Sequence, residues 1–536
     1  MGATAGERIA PSAGSVAGAR PARADVARHA ALAVAALTAA GLALRLSALG
    51  ESLWGDELFT YAVSVPGLGG IGERIRQFEL NPPLFFVFAA LAAKLGDPAI
   101  TLRLPSIALG TASIPLVYLL GLRTVGRGPA LLGTAMFALS PFDVFYGTEA
   151  RAYASVVFFA LVAALALLAA LRDGRAGWWL AFVAASAAAL YTHYTAAFAL
   201  AALLVWALWA HRERWRAILA SAAAIALLFA PWIPSFMDQS DKFALVDRLT
   251  PIFVLRSQAR ALFGHPFVSL DAVPGVAGQV LIAALAAAGA CVVVVRAMRL
   301  RREGRPLRPS EGVVLLALVA VATPLGMIAY AKLGGSNLVS PRNLAVSAPA
   351  CLLLFAAAIM TLPRRWALAG SLLVAAVLAA GAVRTVVAPF QRPQTRAAAH
   401  WVDAHATAGA PVLESPYFLQ FATVFPKLGP FLLRSDTPLR REISLSFRRP
   451  HPSYLPVGFA PTRAGLLPLF PRSAWARGRA AGALWAIAEV RSTFADVQTT
   501  RLLLPRPPAG SGRWRLASKR RLRGLIPVVI LRYEPA

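Results

Sequence analysis

The feature that most constrains this chain is its series of apolar blocks, each roughly 17–25 residues long, the length a helix needs to cross a hydrocarbon core. They lie near residues 29–48, 101–122, 128–145, 152–171, 177–192, 195–210, 216–232, 273–297, 312–332, 342–361 and 366–388. In lipid every backbone N–H and C=O must find its partner inside the spanning structure, so these blocks must be helices. A closed β-barrel would show short alternating segments, which are missing. Composition agrees: 58% of the 536 residues are hydrophobic and only 15% are charged, too little charge for a soluble domain. The chain reads as an all-α polytopic membrane protein with about 11–12 crossings.

Charge then predicts the topology. The connections Arg123–Arg127, Arg172–Arg175, His211–Arg216, Arg296–Arg308 and Arg364–Arg365 are rich in arginine and alternate with the others. The positive-inside rule assigns them to the cytoplasm. Connections 49–100, 143–151, around 193, 233–272 and 333–341 then fall outside, with everything after about 389. Residues 83–96, PLFFVFAALAAKLG, break this parity if they span, because every later loop would invert. They read as an interfacial or re-entrant helix, and a twelfth short crossing is the alternative.

Three regions follow. Residues 1–27 form a disordered cytoplasmic tail without the compact layout of a cleaved signal peptide. Residues 28–388 form the transmembrane domain. Residues 389–536 form a small extracytoplasmic α/β or α+β domain, with short apolar runs at Ala483–Val490 and Leu525–Leu531. This last region carries 22 Lys+Arg against 7 Asp+Glu, a net of +15. Its cations, Arg513, Arg515, Lys519, Arg520, Arg521 and Arg523 among them, suggest an anionic neighbour such as membrane phospholipid or an acidic glycan. The whole-chain balance of +29 suits nucleic acid at first sight, but much of it sits in short topogenic loops and no nucleic-acid motif is present. No nucleic-acid partner is expected. Cys291 and Cys351 lie inside apolar segments and read as inert thiols.

The outer connections collect the acids: Asp56, Glu57, Glu73, Glu79, Asp97, Asp143, Glu149, Asp238, Asp241, Asp247 and Asp271. Several stand at span ends beside aromatics and prolines. In Ser52-Leu53-Trp54-Gly55-Asp56-Glu57, Trp54 suits the membrane interface, and a partly desolvated carboxylate there can serve as a general base. In Glu79-Leu80-Asn81-Pro82-Pro83 the prolines set the start of a helix, which aims Glu79 and Asn81 at one spot, or Asn81 simply caps that helix. In Tyr146-Gly147-Thr148-Glu149-Ala150-Arg151-Ala152-Tyr153, Glu149 and Arg151 flank a turn between two spans. They close the hairpin as a salt bridge, or Arg151 clamps a phosphate with its planar fork. Arg45 and Arg103, at span ends, either snorkel or bind substrate. His193 occupies a polar turn, and Lys332 and Arg342 border another outer connection, where a cation suits a lipid phosphate.

The order LWGDE, ELNPPL, RLPS, YGTEARAY, YTHY and SPRN resembles the GT-C glycosyltransferases of the family 39 type, the group of protein O-mannosyltransferases and the lipid A aminoarabinose transferase. The resemblance covers roughly residues 30–360 and implies a GT-C-like fold. It also implies a sugar donor on polyprenyl phosphate and inverting transfer of a hexose or pentose at the outer face of the plasma membrane. The acceptor would be a cell-envelope glycan, lipid or protein. Asp56 matches the catalytic position and would deprotonate the acceptor, with Glu57 assisting or orienting. Glu149, Arg151 and Tyr153 match the second outer loop, which lines the site, and Arg342 would bind the donor phosphate. The chain departs from the aminoarabinose transferase at Leu80-Asn81-Pro82-Pro83, where that enzyme has a lysine before a single proline. The first loop has Asp-Glu and no Asp-x-Asp, so neither metal nor other cofactor is expected. A transporter of polyprenyl-linked lipids is the alternative, but the matching broken helices of such proteins are not evident.

Overall fold

The computed structural model of the protein describes residues 19–240, 249–303, 310–333, 337–387, 390–420, 434, 436–490 and 502–536. Residues 1–18 of the expected tail, with Asp241, Asp247 and Arg308, lie outside them. Over its described residues each apolar block is mainly helical. Helix α1 (Ala19–Ser47) starts earlier than the block that predicted it. Residues 19–27, expected as disordered tail, are its first turns, because their alanines and arginines are good helix formers. The first connection folds into α2 (Asp56–Ser64), α3 (Ile71–Phe78), α4 (Leu84–Ala92) and α5 (Pro98–Thr101). The bundle continues with α6 (Leu104–Thr124), α7 (Arg127–Leu139), α8 (Pro141–Tyr146), α9 (Tyr153–Asp173), α10 (Ala176–Leu190), α11 (Ala196–Ala210) and α12 (Trp215–Phe229). It closes with α13 (Ile233–Ser240), α14 (Pro251–Phe263), α15 (Val276–Arg302), α16 (Glu311–Lys332), α17 (Ala348–Ile359) and α18 (Arg364–Thr385).

Among the described residues, 8 helical runs are long and apolar enough to cross a membrane. Helices α10 and α11, each 15 residues, reach only about 22 Å at the α-helical rise, short of a ~30 Å core. The block near 128–145 is broken at Ser140, whose extended backbone ends α7 and whose hydroxyl accepts the Asp143 N–H at 3.2 Å to cap α8. The segment around 83–96 is a short helix, α4 with a 3-10 turn to Leu95, packed on α2 and α6. Helix α9 is the most enclosed, packing on both α6 and α10. Helices α6 and α7 approach α17 through Gly121 and Gly133. An added Cβ at Gly121 would lie 2.8 and 2.9 Å from the Ala130 Cβ and Cα of α7, so the approach of α6 to α7 needs glycine there, and at Gly133 it would press on the Leu353 side chain.

After α18 the chain changes character. Helix α19 (Thr395–His405) and α20 (Arg472–Ala480) flank a five-stranded sheet, order β2-β1-β5-β7-β6. The strands are β1 (Val412–Ser415), β2 (Ser453–Tyr454), β5 (Leu484–Glu489), β6 (Trp514–Leu522) and β7 (Val528–Pro535). A separate hairpin is formed by β3 (Gly458–Thr462) and β4 (Gly465–Leu469). Strands β2, β1 and β5 run parallel, and β7 and β6 add antiparallel. β1 and β5 are buried along their whole length, as expected of parallel strands covered on both faces. This mixed α/β unit caps one end of the bundle. Tyr417, Leu525 and Ile526 enter the bundle's own core, and Leu419 and Leu439 join the core around α2 and α4. Arg396 pairs with Asp97 across the junction at 2.7 Å.

Candidate active site

The loop between α1 and α2 holds the two adjacent acids in unlike surroundings. Gly55 has φ +50°, and a Cβ there would meet the Phe418 ring at 3.2 Å, so the turn needs glycine. Trp54 is 2% exposed and packs edge-on against Phe267 and at a tilt against Phe418. The turn starts α2 at Asp56, with Asp56 and Glu57 in the first helical turn, where helix dipoles favour carboxylates.

Glu57 is fully buried and fully engaged. Arg103 donates to it bidentately, Nε–H to Oε1 at 2.8 Å and Nη2–H to Oε2 at 2.6 Å. The Ala150 N–H donates at 2.9 Å, and the Arg392 guanidinium lies 3.6 Å away. Burial pushes this carboxyl up, but Arg103, Arg392 and the backbone donor outweigh it and hold it below the usual range. Arg103 also donates to the carbonyls of Ala48, Leu49, Glu51 and Ser52. It is therefore a pin that fixes the loop, with no donor left over for a substrate, contrary to its expected binding role. Arg392, from the junction after α18, pairs with Glu51 at 2.9 Å, donates to Thr148 Oγ1 and stacks 4.5 Å over the Phe145 ring.

Asp56 differs. Its side chain is 34% exposed, its carboxylate pairs with Arg342, and the Arg342 side chain is itself 30% exposed. Burial would raise its pKa, yet Arg342 and then Arg151 hold it below the ordinary carboxylate range. Arg151 is buried, pairs bidentately with Glu79, and donates to the Asp56 carbonyl at 3.2 Å. Burial opposes its charge, but Glu79 and Asp56 together push its pKa up. The Gln239 side chain holds the Glu79 carbonyl at 3.1 Å, and Asn81 bonds the Glu79 carboxylate. The hairpin closure expected between Glu149 and Arg151 is replaced by this longer-range pairing.

Behind Asp56 lies a ring of buried groups. Glu149 is 3% exposed with Oε2 unbonded, and its carboxyl is pushed up to about 8 by burial and then by Asp56. Tyr146 packs 4.6 Å from the Tyr153 ring, and Tyr153 lies 5.5 Å from His193. Burial, then Arg342 and Arg151, push the His193 ring down to about 3, so it is neutral. Its Nδ1 accepts the Thr195 N–H at 3.3 Å, which leaves the proton on Nε2.

The fold thus gathers Asp56, Glu57, Glu79, Asn81, Arg103, Glu149, Arg151, Tyr153, His193 and Arg342 at one end of the bundle. Arg45 and Lys332 stand apart. Arg45 is fully buried, donates to the Gly41 and Asp143 carbonyls, and lines a small pocket beneath Tyr146 and Tyr153. It neither snorkels nor reaches Asp56. Lys332 is exposed in the last turn of α16. Arg392, Glu51, Thr148 and Tyr146 went unremarked or unassigned in the sequence. Tyr146 and Thr148 alone carried a signal, since both stand in the YGTEARAY motif.

The helix bundle with its α/β cap is a fold shared with solved protein structures. Residues 81–236 match the sequence model of the family described as dolichyl-phosphate-mannose-protein mannosyltransferase. Among solved structures the chain is similar to ArnT from Cupriavidus metallidurans in the apo state, with TM-score 0.51 at 12% identity, over 93% of this chain and 97% of that one. The same protein bound to undecaprenyl phosphate aligns with TM-score 0.48 and 14% identity over 93% and 97%. The archaeal oligosaccharyltransferase AglB from Archaeoglobus fulgidus, in complex with an inhibitory peptide and a dolichol-phosphate, aligns with TM-score 0.46 and 11% identity over 85% and 69%. No curated protein sequence matches the chain.

Proposed function

We propose that this chain is a membrane glycosyltransferase that moves a hexose or pentose from polyprenyl phosphate to a cell-envelope acceptor. The observation that carries this reading is the partly open Asp56–Arg342 pair set against the closed Glu57–Arg103 pair. One carboxylate and one guanidinium remain reachable, and these are the charges a transfer from a lipid phosphate needs. The family model matched by residues 81–236, described by a dolichyl-phosphate-mannose donor, supports the donor class.

The chemistry is as follows. The donor phosphate competes with Asp56 for Arg342. Once Arg342 turns to the phosphate, the Asp56 carboxylate loses its ion-pair partner, its pKa rises, and it becomes a stronger base. Asp56 takes the proton of the acceptor hydroxyl or amine. The acceptor atom bonds to the anomeric carbon from the face opposite the phosphate, and the carbon–oxygen bond to the phosphate breaks with inversion. Arg342 and Arg151 stabilise the charge growing on the departing lipid phosphate. Metal independence belongs to this reading, because each ionised carboxylate of the site is already matched by an arginine. Arg-rich connections on the opposite side support an extracytoplasmic site and cap, in the plasma membrane. Residues 28–388 then act as the catalytic domain and 389–536 as the cap. The test is transfer from a polyprenyl-phosphate sugar by the protein in lipid nanodiscs, with and without EDTA. Covalent transfer that survives EDTA and vanishes in Asp56→Asn supports the reading; movement of the lipid without transfer overturns it.

A further inference from the structure

Strand β6 is an edge strand, and seven of its nine residues are exposed, an unusual state for so long a strand. It carries Arg515, Lys519, Arg520 and Arg521, and Arg523 follows directly. Charged edges discourage strand-to-strand aggregation, which explains cations anywhere along it. It does not explain their position. The acids of this cap do not balance them: Glu414, Glu442 and Glu489 are buried away from the surface, and Glu534 pairs with Arg515 and Arg532. Arg520 lies over the Trp401 ring. Lys519, Arg521 and Arg523 have no ion pair with another described residue.

The foot of the strand is tied to the membrane domain. Gln391 donates its side-chain amide to the Val386 carbonyl at 2.9 Å, just past the end of α18. The Leu525 N–H donates to the Gln391 carbonyl at 2.8 Å, and Leu525 and Ile526 are buried in the bundle core. Arg523 is therefore two residues from a turn anchored at the end of an apolar helix, where headgroups begin. Exposed Arg384, in the last turn of α18, marks the same level. At the rise of an extended strand, Lys519 lies about 13 Å from Arg523 and Arg515 about 26 Å.

We infer that Arg523, Arg521 and Lys519 form a docking surface for anionic phospholipid headgroups of the leaflet beside the site. Arg523, at headgroup depth, meets phosphates at a few ångströms, Arg521 lies about 7 Å further on and inside a Debye length of about 8–10 Å, and Lys519 at about 13 Å feels a weaker field, whereas Arg515 stands well beyond it and is already paired. This contact holds the cap at a fixed height over the bundle end. It does not depend on the reaction proposed above.

Lysine acetylation of the full-length protein tests it, in nanodiscs of phosphatidylcholine alone or mixed with phosphatidylglycerol. Arg523→Lys puts a reactive amine at the strand foot while keeping its charge, and Arg515→Lys does the same at the far end. The expected result is a gradient. Labelling slows several-fold in the anionic discs at Arg523→Lys, less at the native Lys519, and not at Arg515→Lys. High salt removes the difference. Equal rates in the two discs at Arg523→Lys, or uniform slowing along the strand, overturn the proposal. So does protection by a soluble anionic polysaccharide in phosphatidylcholine discs without protection by phosphatidylglycerol, which assigns the surface to a glycan.

Discussion

Asp56 and Glu57 are neighbours in one helical turn, yet their surroundings could hardly differ more. Glu57 is closed off, with Arg103, Arg392 and the Ala150 N–H filling its oxygens. Asp56 faces one arginine that is itself partly exposed. Adjacent side chains in a helix point about 100° apart, so one acid enters the core and the other the cleft. The lesson is that an acidic pair need not be a catalytic pair. One member builds the turn, and the other is left free to react.

The largest expected effect falls on the closed half. Arg103→Ala leaves Glu57 as a buried charge without its main partner and abandons four loop carbonyls. A loss of about 3–5 kcal/mol is expected, read as a lower midpoint in thermal unfolding in detergent. Glu57→Gln should recover part of that loss in the Arg103→Ala background, because it removes the stranded charge. If both variants melt like the wild type, the closed half is not a pin.

Next comes the open half. Arg342→Gln removes the leading cause of the low Asp56 pKa. Asp56 should then protonate at higher pH, so the acid limb of kcat/KM moves upward, while the melting midpoint changes little. An unmoved acid limb would separate Asp56 from the titrating group.

Glu149 offers a third contrast. Its carboxyl is raised to about 8 by burial and Asp56, whereas an unfolded glutamate titrates near 4.3. The folded state binds the extra proton, so this group's contribution to stability is fully present below about 4.3 and declines as pH rises toward about 8. Glu149→Gln should flatten that decline, measured as thermal midpoint against pH. A slope identical to wild type would show that Glu149 is ionised throughout.

The smallest effect belongs to the turn that separates the two acids. Gly55→Ala places a Cβ at positive φ and 3.2 Å from Phe418. A cost of about 1–2 kcal/mol is expected, with a larger loss in kcat than in KM, because Asp56 shifts. Phe418→Ala should restore part of the rate by making room.

Much of the bundle was legible in the sequence because a membrane span announces itself locally, by length and apolarity. The span ends were less so. The helix of α1 runs back to Ala19 because propensity carries it past the apolar block, and the block near 128–145 breaks at Ser140 because a hydroxyl caps the next turn. Motifs around Asp56 and Glu149 pointed to one end of the bundle, since charge alternation put them on one side. Their pairing was not readable. Arg103 meets Glu57 across 46 residues, and Arg392 meets Glu51 across 341. No periodicity encodes such distances, so Arg103 read as a snorkelling or substrate-binding residue and Arg392 went unremarked. The chain leaving α18 carried composition but no long pattern, and its mixed sheet depends on strands far apart in sequence.

The division of labour between the two acids is tested most directly by Asp56→Asn. In nanodiscs supplied with a polyprenyl-phosphate sugar and acceptor, transfer should fall about 100- to 10,000-fold while the melting midpoint stays near that of the wild type. Transfer within tenfold of wild type, in a variant that folds as well, would contradict the assignment of Asp56 as the base.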